Sequence, residues 1–391
     1  MIYRRFGKTE LKMPLVTCGG MRFQHKWEDV EWGEVPPEGQ KNLEECIAYA
    51  LENGVNHFET ARGYGSSEMQ LSRAFAHFPR EDMMIQTKVS PEGGAKKFEE
   101  TFEKSMAYLK LDYVDLLGVH GINNRDLLEE AKECIEIAEK WREQGRVRHI
   151  GFSTHAGTEE IHDAIETGLF DYINIHWYFV NDFNWSCIEA AMDRDMGVFI
   201  ISPNDKGGKL YEPSEKLRAL CDPLDPMHFN DLYCWARPEI HTLSMGVARP
   251  EDFDAHIKAL EDLDQAKELV APIEARLRAE VDAVCGENWD ATWTRGIPEW
   301  WNMPQSINVR EIIRLWTYSK SLDIVEWGKM RYNLLGNAGH WFPGEKAGDF
   351  DDSEIIAAMG DYRYADRVPE ILRDADAMLR GEDVKRQSKG D

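Results

Sequence analysis

The chain has 391 residues, with 46 basic against 71 acidic side chains and a formal net charge of −25, which argues against a nucleic-acid-binding or anionic-membrane-binding surface. No apolar run approaches a membrane span, and the start, Met1-Ile2-Tyr3-Arg4-Arg5-Phe6, lacks the apolar core of a signal peptide, so a cytoplasmic protein is expected. Seven scattered cysteines form no Cys-x-x-Cys pair, which indicates neither a disulfide framework nor a cysteine-rich metal site.

Taken in order, Tyr3–Phe6 and Glu10–Met13 flank Gly7-Lys8-Thr9 as a hairpin. Leu15–Cys18 is a buried strand ending at Gly19-Gly20, and residues 24–38 are a polar, aromatic loop. Lys41–Asn53 carries a helical stripe stopped by Gly54. Strands follow at 55–59, Met83–Val89, Tyr113–Val119, His149–Ser153, Tyr172–His176, Val198–Ser202 and Ile240–Ser244. Between them the spacing predicts helices at 67–77, Lys96–Leu109, Leu127–Gln144, Thr158–Thr167, Trp185–Met196 and Asn230–Ala236, with a loop over 203–225. Pro250–Leu263 reads as a helix with proline in its first turn. At the entry to the 67–77 helix, Ser67-Glu68-Met69-Gln70 has capping-box spacing.

Strand and helix thus alternate about eight times over residues 15–263, with crossovers long enough for a parallel sheet. A doubly wound sheet would call for a Gly-rich dinucleotide loop after the first strand; Gly19-Gly20-Met21-Arg22 is not one. The expectation is an α/β protein: a (β/α)8 TIM barrel over 1–265 with an α-helical C-terminal extension over 270–391. The composition shifts there, since seven of the thirteen tryptophans fall between 289 and 341. The pattern reads as helices at Asn308–Ser319, Ile324–Leu335 and Val368–Leu379, and a frayed end from Lys385 to Asp391.

Three strand ends carry chemistry. Tyr64 follows the second barrel strand, Lys88 closes the third and His120 closes the fourth, so a barrel turns all three to one rim. A phenol with a pKa near 10 donates poorly at neutral pH, and an adjacent ammonium favours its ionisation. A carboxylate can hold the lysine, and an imidazole can orient a carbonyl oxygen. Singly, each residue has a plain structural reading: a packing tyrosine, a solvated lysine, a structural histidine.

The stretch Glu59-Thr60-Ala61-Arg62-Gly63-Tyr64-Gly65-Ser66-Ser67-Glu68 resembles the aldo-keto reductase signature Asp-Thr-Ala-x-x-Tyr-Gly-x-Ser-Glu, with Glu59 in place of aspartate. The likeness covers about residues 1–260, with matches also at 113–120 and 149–155. It implies NAD(P)H-dependent interconversion of an aldehyde or ketone with an alcohol: Tyr64 as general acid, Lys88 as its pKa modulator, His120 as carbonyl orienter and Glu59 as the lysine's partner. The extra methylene of Glu59 shifts the carboxylate by about an ångström, a displacement that can cost about 100-fold in rate.

The resemblance also implies a nicotinamide dinucleotide, biased to NADPH with NADH possible. Its site would take Met21 and Arg22, Ser153 and Asn174 at the carboxamide, Ser202, Lys206 and Gly207 in the loop after the seventh strand, and Gly246 and Arg249 before the last helix. Arg249 would reach a 2′-phosphate, which Glu251 and Asp252 would repel. The partner would be a small carbonyl or alcohol; the pattern sets no oligomeric state. Trp27, Trp32, Trp177 and Phe179 are candidates for aromatic pocket walls.

The early motifs look most like the branch of the family that ends in a ferredoxin-like module. Here that region keeps only Cys285, and one thiolate cannot hold an iron–sulfur cluster, so none is expected. The extension would be a cluster-less remnant, with Trp289, Trp293, Trp300 and Trp301 filling its core, or else a helical lid. Glu59 and the altered extension also motivate a second reading, a nicotinamide-binding regulatory or scaffold protein with little turnover.

Overall fold

The structure, a computed structural model, describes residues 1–385. The chain forms two compact units, Met1–Pro203 with Asn230–Ala266, and Asn204–Phe229 with residues from Lys267 onward.

The first unit is built on a hairpin and a barrel. Strands β1 (Tyr3–Arg5) and β2 (Lys12–Pro14) pair antiparallel. Eight strands then close in parallel: β3 (Val16–Gly19), β4 (His57–Glu59), β5 (Met84–Val89), β6 (Val114–His120), β7 (Val147–Ser153), β8 (Tyr172–Ile175), β9 (Gly197–Ile200) and β10 (Thr242–Met245), the last pairing with the first. Every crossover holds a helix: α1 (Pro37–Glu52), α2 (Ser67–Phe75), α3 (Gly94–Leu109), α4 (Arg125–Glu143), α5 (Thr158–Glu166) and α6 (Trp185–Asp193) lie between successive strands, and α9 (Asp252–Ala259) follows the last. The expected barrel is what forms.

The hairpin stoppers one end of that barrel. Phe6 and Met13, both fully buried, pack with Leu116, Tyr172 and Phe199. A Cβ at Gly197 would sit 2.6 Å from the Phe6 ring, so glycine is what lets the plug seat. Chemistry is thereby left to the opposite end, where the strands' carboxyl ends and the βα loops lie.

Local signals fix most helices. In α4 the Asn124 side chain accepts from the Leu127 N–H, an apolar stripe from Leu127 to Trp141 is buried, and Gly145 leaves at φ +74°. Helix α1 begins at Pro37, four residues before the expected start at Lys41, because proline suits the first turn.

Three expectations need correction. The capping box at Ser67–Gln70 does not form. Ser66 is the cap residue and makes no side-chain cap; its hydroxyl instead takes the His25 N–H at 2.9 Å, as does Gln70 Oε1, while Ser67 donates to Gly20 O. The tertiary partner displaces the local one. The 203–225 loop contains a helix, α7 (Glu215–Cys221), capped by Ser214, and α8 (Pro226–Trp235) follows it directly. The last barrel helix stops at Ala259 and continues as a 3-10 segment, Leu260–Gln265.

In the second unit, α10 (Ala266–Cys285), α11 (Trp289–Thr292), α12 (Val309–Leu322), α13 (Val325–Tyr332), α14 (Asp352–Met359) and α15 (Val368–Leu379) occur, with no strand among its described residues. Trp289 and Trp293 are buried; the Trp289 indole donates to Thr317 Oγ1 at 3.0 Å. Trp300 is only half-buried and Trp301 is 48% exposed, so these two do not fill the core: they lie in a short 3-10 turn, edge to face with each other. Of the frayed end expected over Lys385 to Asp391, all but Lys385 lies outside the described residues.

Candidate active site

The barrel register sets the first contact. Lys88 on β5 lies beside Gly118 on β6, and a Cβ at Gly118 would fall 2.7 Å from Lys88 Cγ. Glycine there gives the lysine stem its path. Its ammonium donates to Thr60 O at 2.8 Å and contacts Glu59 Oε1 as an ion pair, both side chains being almost wholly buried. The longer glutamate therefore still reaches the lysine. It also accepts from the Tyr64 phenol at 3.4 Å and, through Oε2, from Ser244 on β10 at 3.3 Å.

Tyr64 stands over this pair. The Lys88 ammonium is 4.8 Å from its ring centre, the His120 ring 5.7 Å away at 83°, and the Trp27 indole 6.3 Å away at 89°. A phenol, an ammonium and an imidazole from three segments thus meet as the sequence suggested. Of the other aromatic candidates, Trp177 and Phe179 are buried against Tyr233, and Trp32 stacks under Arg73.

The electrostatics differ from expectation. Burial raises the Tyr64 phenol above its ordinary value, and burial pulls the Lys88 ammonium well below its own. Desolvation disfavours both charged forms and outweighs the lysine's pull on the phenol. A neutral phenol is accordingly the resting form.

The carboxamide candidates lie near the ends of β7 and β8. Ser153 and Asn174 are paired in register, and both are buried. Ser153 Oγ accepts from the Gly121 N–H at 3.1 Å, Asn174 Oδ1 accepts from Gln86 Nε2 at 3.3 Å, and the buried Asn174 Nδ2 has no partner among the described residues. A buried donor of that kind fits an amide carbonyl, the group that a nicotinamide presents. Beside them His176 Nε2 and His155 Nδ1 lie 2.9 Å apart, a pair that sequence spacing did not reveal.

The phosphate-site candidates divide. Arg22 is exposed at the rim and its side chain runs past Gly246, where a Cβ would lie 3.0 Å from Nε; Met21 precedes it at half exposure. Ser202 has a left-handed φ of +53°. Lys206 and Gly207 fall in the second unit. There Lys206 O accepts from the Trp327 indole at 2.8 Å, and burial, then Arg331, holds the Lys206 ammonium well below its usual range. Arg249 is paired with Asp252 at 3.0 Å, and the other oxygen of that carboxylate takes the N–H groups of Ala248 and Arg249 at 2.8 and 3.2 Å. The helix entry reserved for a phosphate thus already holds a carboxylate, because α9 starts at Asp252 rather than Pro250.

Sequence reading missed the supports: Thr60 and Ser244 around the ion pair, and the buried Glu68, which accepts from Thr87 Oγ1 at 2.6 Å. Only the signature's final glutamate offered a signal for them.

Acid–base chemistry at the carboxyl ends of a (β/α)8 barrel is the class of enzyme this arrangement defines. Residues 15–264 match the aldo/keto reductase family, and the chain belongs to that family, as an NAD(P)H-dependent oxidoreductase. It is similar to L-galactose dehydrogenase of Arabidopsis thaliana, 23% identical over 75% of this chain and 97% of that one. Among solved structures it is similar to the holo form of an aldo-keto reductase from Bacillus halodurans, with 18% identity, a TM-score of 0.58, and 69% and 96% of the two chains covered. An aldo-keto reductase of Klebsiella pneumoniae in complex with NADPH gives 17%, 0.54, and 70% and 96%. The chain spans about half the length of several other curated relatives.

Proposed function

We propose that the protein reduces a small aldehyde or ketone with NADPH, or runs the reverse oxidation, with Tyr64 giving the proton to the carbonyl oxygen. The observation that carries this is the Tyr64 phenol set between His120 and the Lys88–Glu59 pair. Lys88 stabilises the negative charge that develops on the phenol oxygen as the proton leaves, Glu59 holds Lys88, and His120 donates to the same substrate oxygen. A bound nicotinamide would supply the hydride chemistry; Ser153 and Asn174 would hold its carboxamide, and Met21, Arg22, Ser202 and Gly246 would line the way to its phosphates. NADPH is the favoured form by likeness to the NADPH-bound relative; the Arg249–Asp252 pair weakens that preference.

The Arabidopsis relative's name suggests a sugar or its lactol as a substrate class, which the reverse direction would oxidise. The extension reads as a ferredoxin-like module without its cluster: Cys285 is its one cysteine, and it is buried beside Thr317 O.

The test is NADPH oxidation with a panel of aldehydes, ketones and aldoses. Tyr64→Phe should lose about 10²- to 10⁴-fold in kcat while still quenching NADPH fluorescence. A variant as active as the parent rules out the acid assignment; binding without turnover in the parent favours the scaffold reading.

A further inference from the structure

Beneath the Lys88–Glu59 pair lies a second polar layer that the acid–base chemistry does not use. On β5, Gln86 precedes Lys88 by two residues, so both side chains leave the same face of the strand. Gln86 is fully buried, and its Nε2 donates at 3.3 Å to Oδ1 of Asn174, equally buried on β8. Only closure of the barrel brings these two side chains together. Gln86 also stands beside His57, whose pKa burial and then Lys88 lower and Gln86 raises. An amide raises an imidazole's pKa by turning its carbonyl end to the ring, which leaves its NH2 end for Asn174.

An asparagine amide has two ends of similar size and opposite hydrogen-bonding sense. A buried one with no fixed neighbour can present either to a ligand. Here Gln86 occupies Oδ1, and Nδ2 is left buried with no hydrogen-bond partner among the described residues. A buried donor in that state calls for an acceptor.

We propose that Gln86 is a positioning residue for the dinucleotide: by holding Asn174 Oδ1 it fixes the sense of that amide, so that Asn174 donates to the carbonyl of a nicotinamide carboxamide rather than accepting from its NH2. The inference rests on the nicotinamide reading of Ser153 and Asn174. Without Gln86 the Asn174 amide can turn over, and the preference for a carbonyl is lost even where the dinucleotide still binds.

The experiment is equilibrium binding, read by titration calorimetry with two analogues of NADP⁺. The thionicotinamide analogue keeps the NH2 but offers sulfur, a weak acceptor. The 3-acetylpyridine analogue keeps the carbonyl oxygen but has no NH2. The parent should bind the acetylpyridine analogue about fivefold more tightly than the other, the scale of one hydrogen bond. In Gln86→Met, which keeps the volume and removes the amide, the ratio of the two Kd values should fall to about one. A Gln86 that serves only the core would weaken both analogues together in that variant and leave the ratio at its parent value, which overturns the proposal. A parent that prefers the thionicotinamide analogue overturns it too. Should Gln86→Met fail to fold, Gln86→Leu is read in its place. Should neither fold, the parent decides alone: a preference for the acetylpyridine analogue above about threefold supports the assignment, and a smaller one overturns it. A parent that binds neither analogue nor NADP⁺ sinks the nicotinamide reading and this assignment with it, whereas one that binds NADP⁺ but does not discriminate between the analogues sinks this assignment alone.

Discussion

Glu59 touches three partners at once, and each contact makes a different demand on its length. Shortening it in Glu59→Asp withdraws the carboxylate by about an ångström from Lys88 and the phenol, and kcat should fall by up to about 100-fold while melting temperature changes little. Glu59→Gln instead leaves a buried ammonium facing a neutral amide. Breaking a buried pair costs about 3–5 kcal/mol, which urea unfolding would register. The lowered Lys88 pKa gives a sign for activity: the ammonium is lost on the alkaline side before an ordinary lysine would be, whereas the raised Tyr64 phenol stays protonated there. The alkaline limb of kcat/KM for reduction should therefore lie below pH 10.5 and vanish in Lys88→Met. A limb that persists in that variant belongs to another group. At the rim, Asp252→Ala releases Arg249 and the N–H groups behind it. KM for NADPH should drop by up to about fivefold, with KM for NADH unchanged.

Elements deliver these residues through two glycines whose roles differ. At Gly118 the demand is space. Gly118→Ala puts a methyl into the path of Lys88 and should cost about 1–3 kcal/mol by overpacking, with kcat falling as the ammonium is displaced. At Gly65 the demand is conformation as well, since φ is +54° and Lys26 O lies against it. The strands and most helices were legible because one face of each is buried: α4 shows its apolar stripe, its asparagine cap and its glycine stop in plain sequence. The 203–225 segment was not, because α7 is seven residues long and too short to display a period. The false capping box at Ser67–Gln70 failed for another reason. A side chain that suits a local cap equally suits a neighbouring loop, and only packing decides between them.

At the scale of the molecule, the barrel interior links the site to stability. His57, fully buried below Lys88, has its pKa pulled down to about 3 by burial and then by that ammonium, while its Nδ1 lies 2.7 Å from Thr17 Oγ1. The unfolded chain binds this proton with a pKa near 6.5, the folded one does not, so stability falls as pH drops below 6.5 and goes on falling to about 3. The slope from this group is about 1.4 kcal/mol per pH unit, and His57→Gln should flatten the pH dependence of the urea midpoint across that window.

The sequence by itself determined the alternation of strand and helix, hence the parallel barrel, and the identity of the phenol, lysine and imidazole at its strand ends. Those features follow from residue type and period along the chain. Which donors remain for a phosphate once Asp252 has taken two of them, how burial sets the charges of Tyr64 and Lys88, and which tryptophan faces the site were decided only in three dimensions. Desolvation and competition for hydrogen-bond partners depend on neighbours far off in sequence, and no local pattern encodes them.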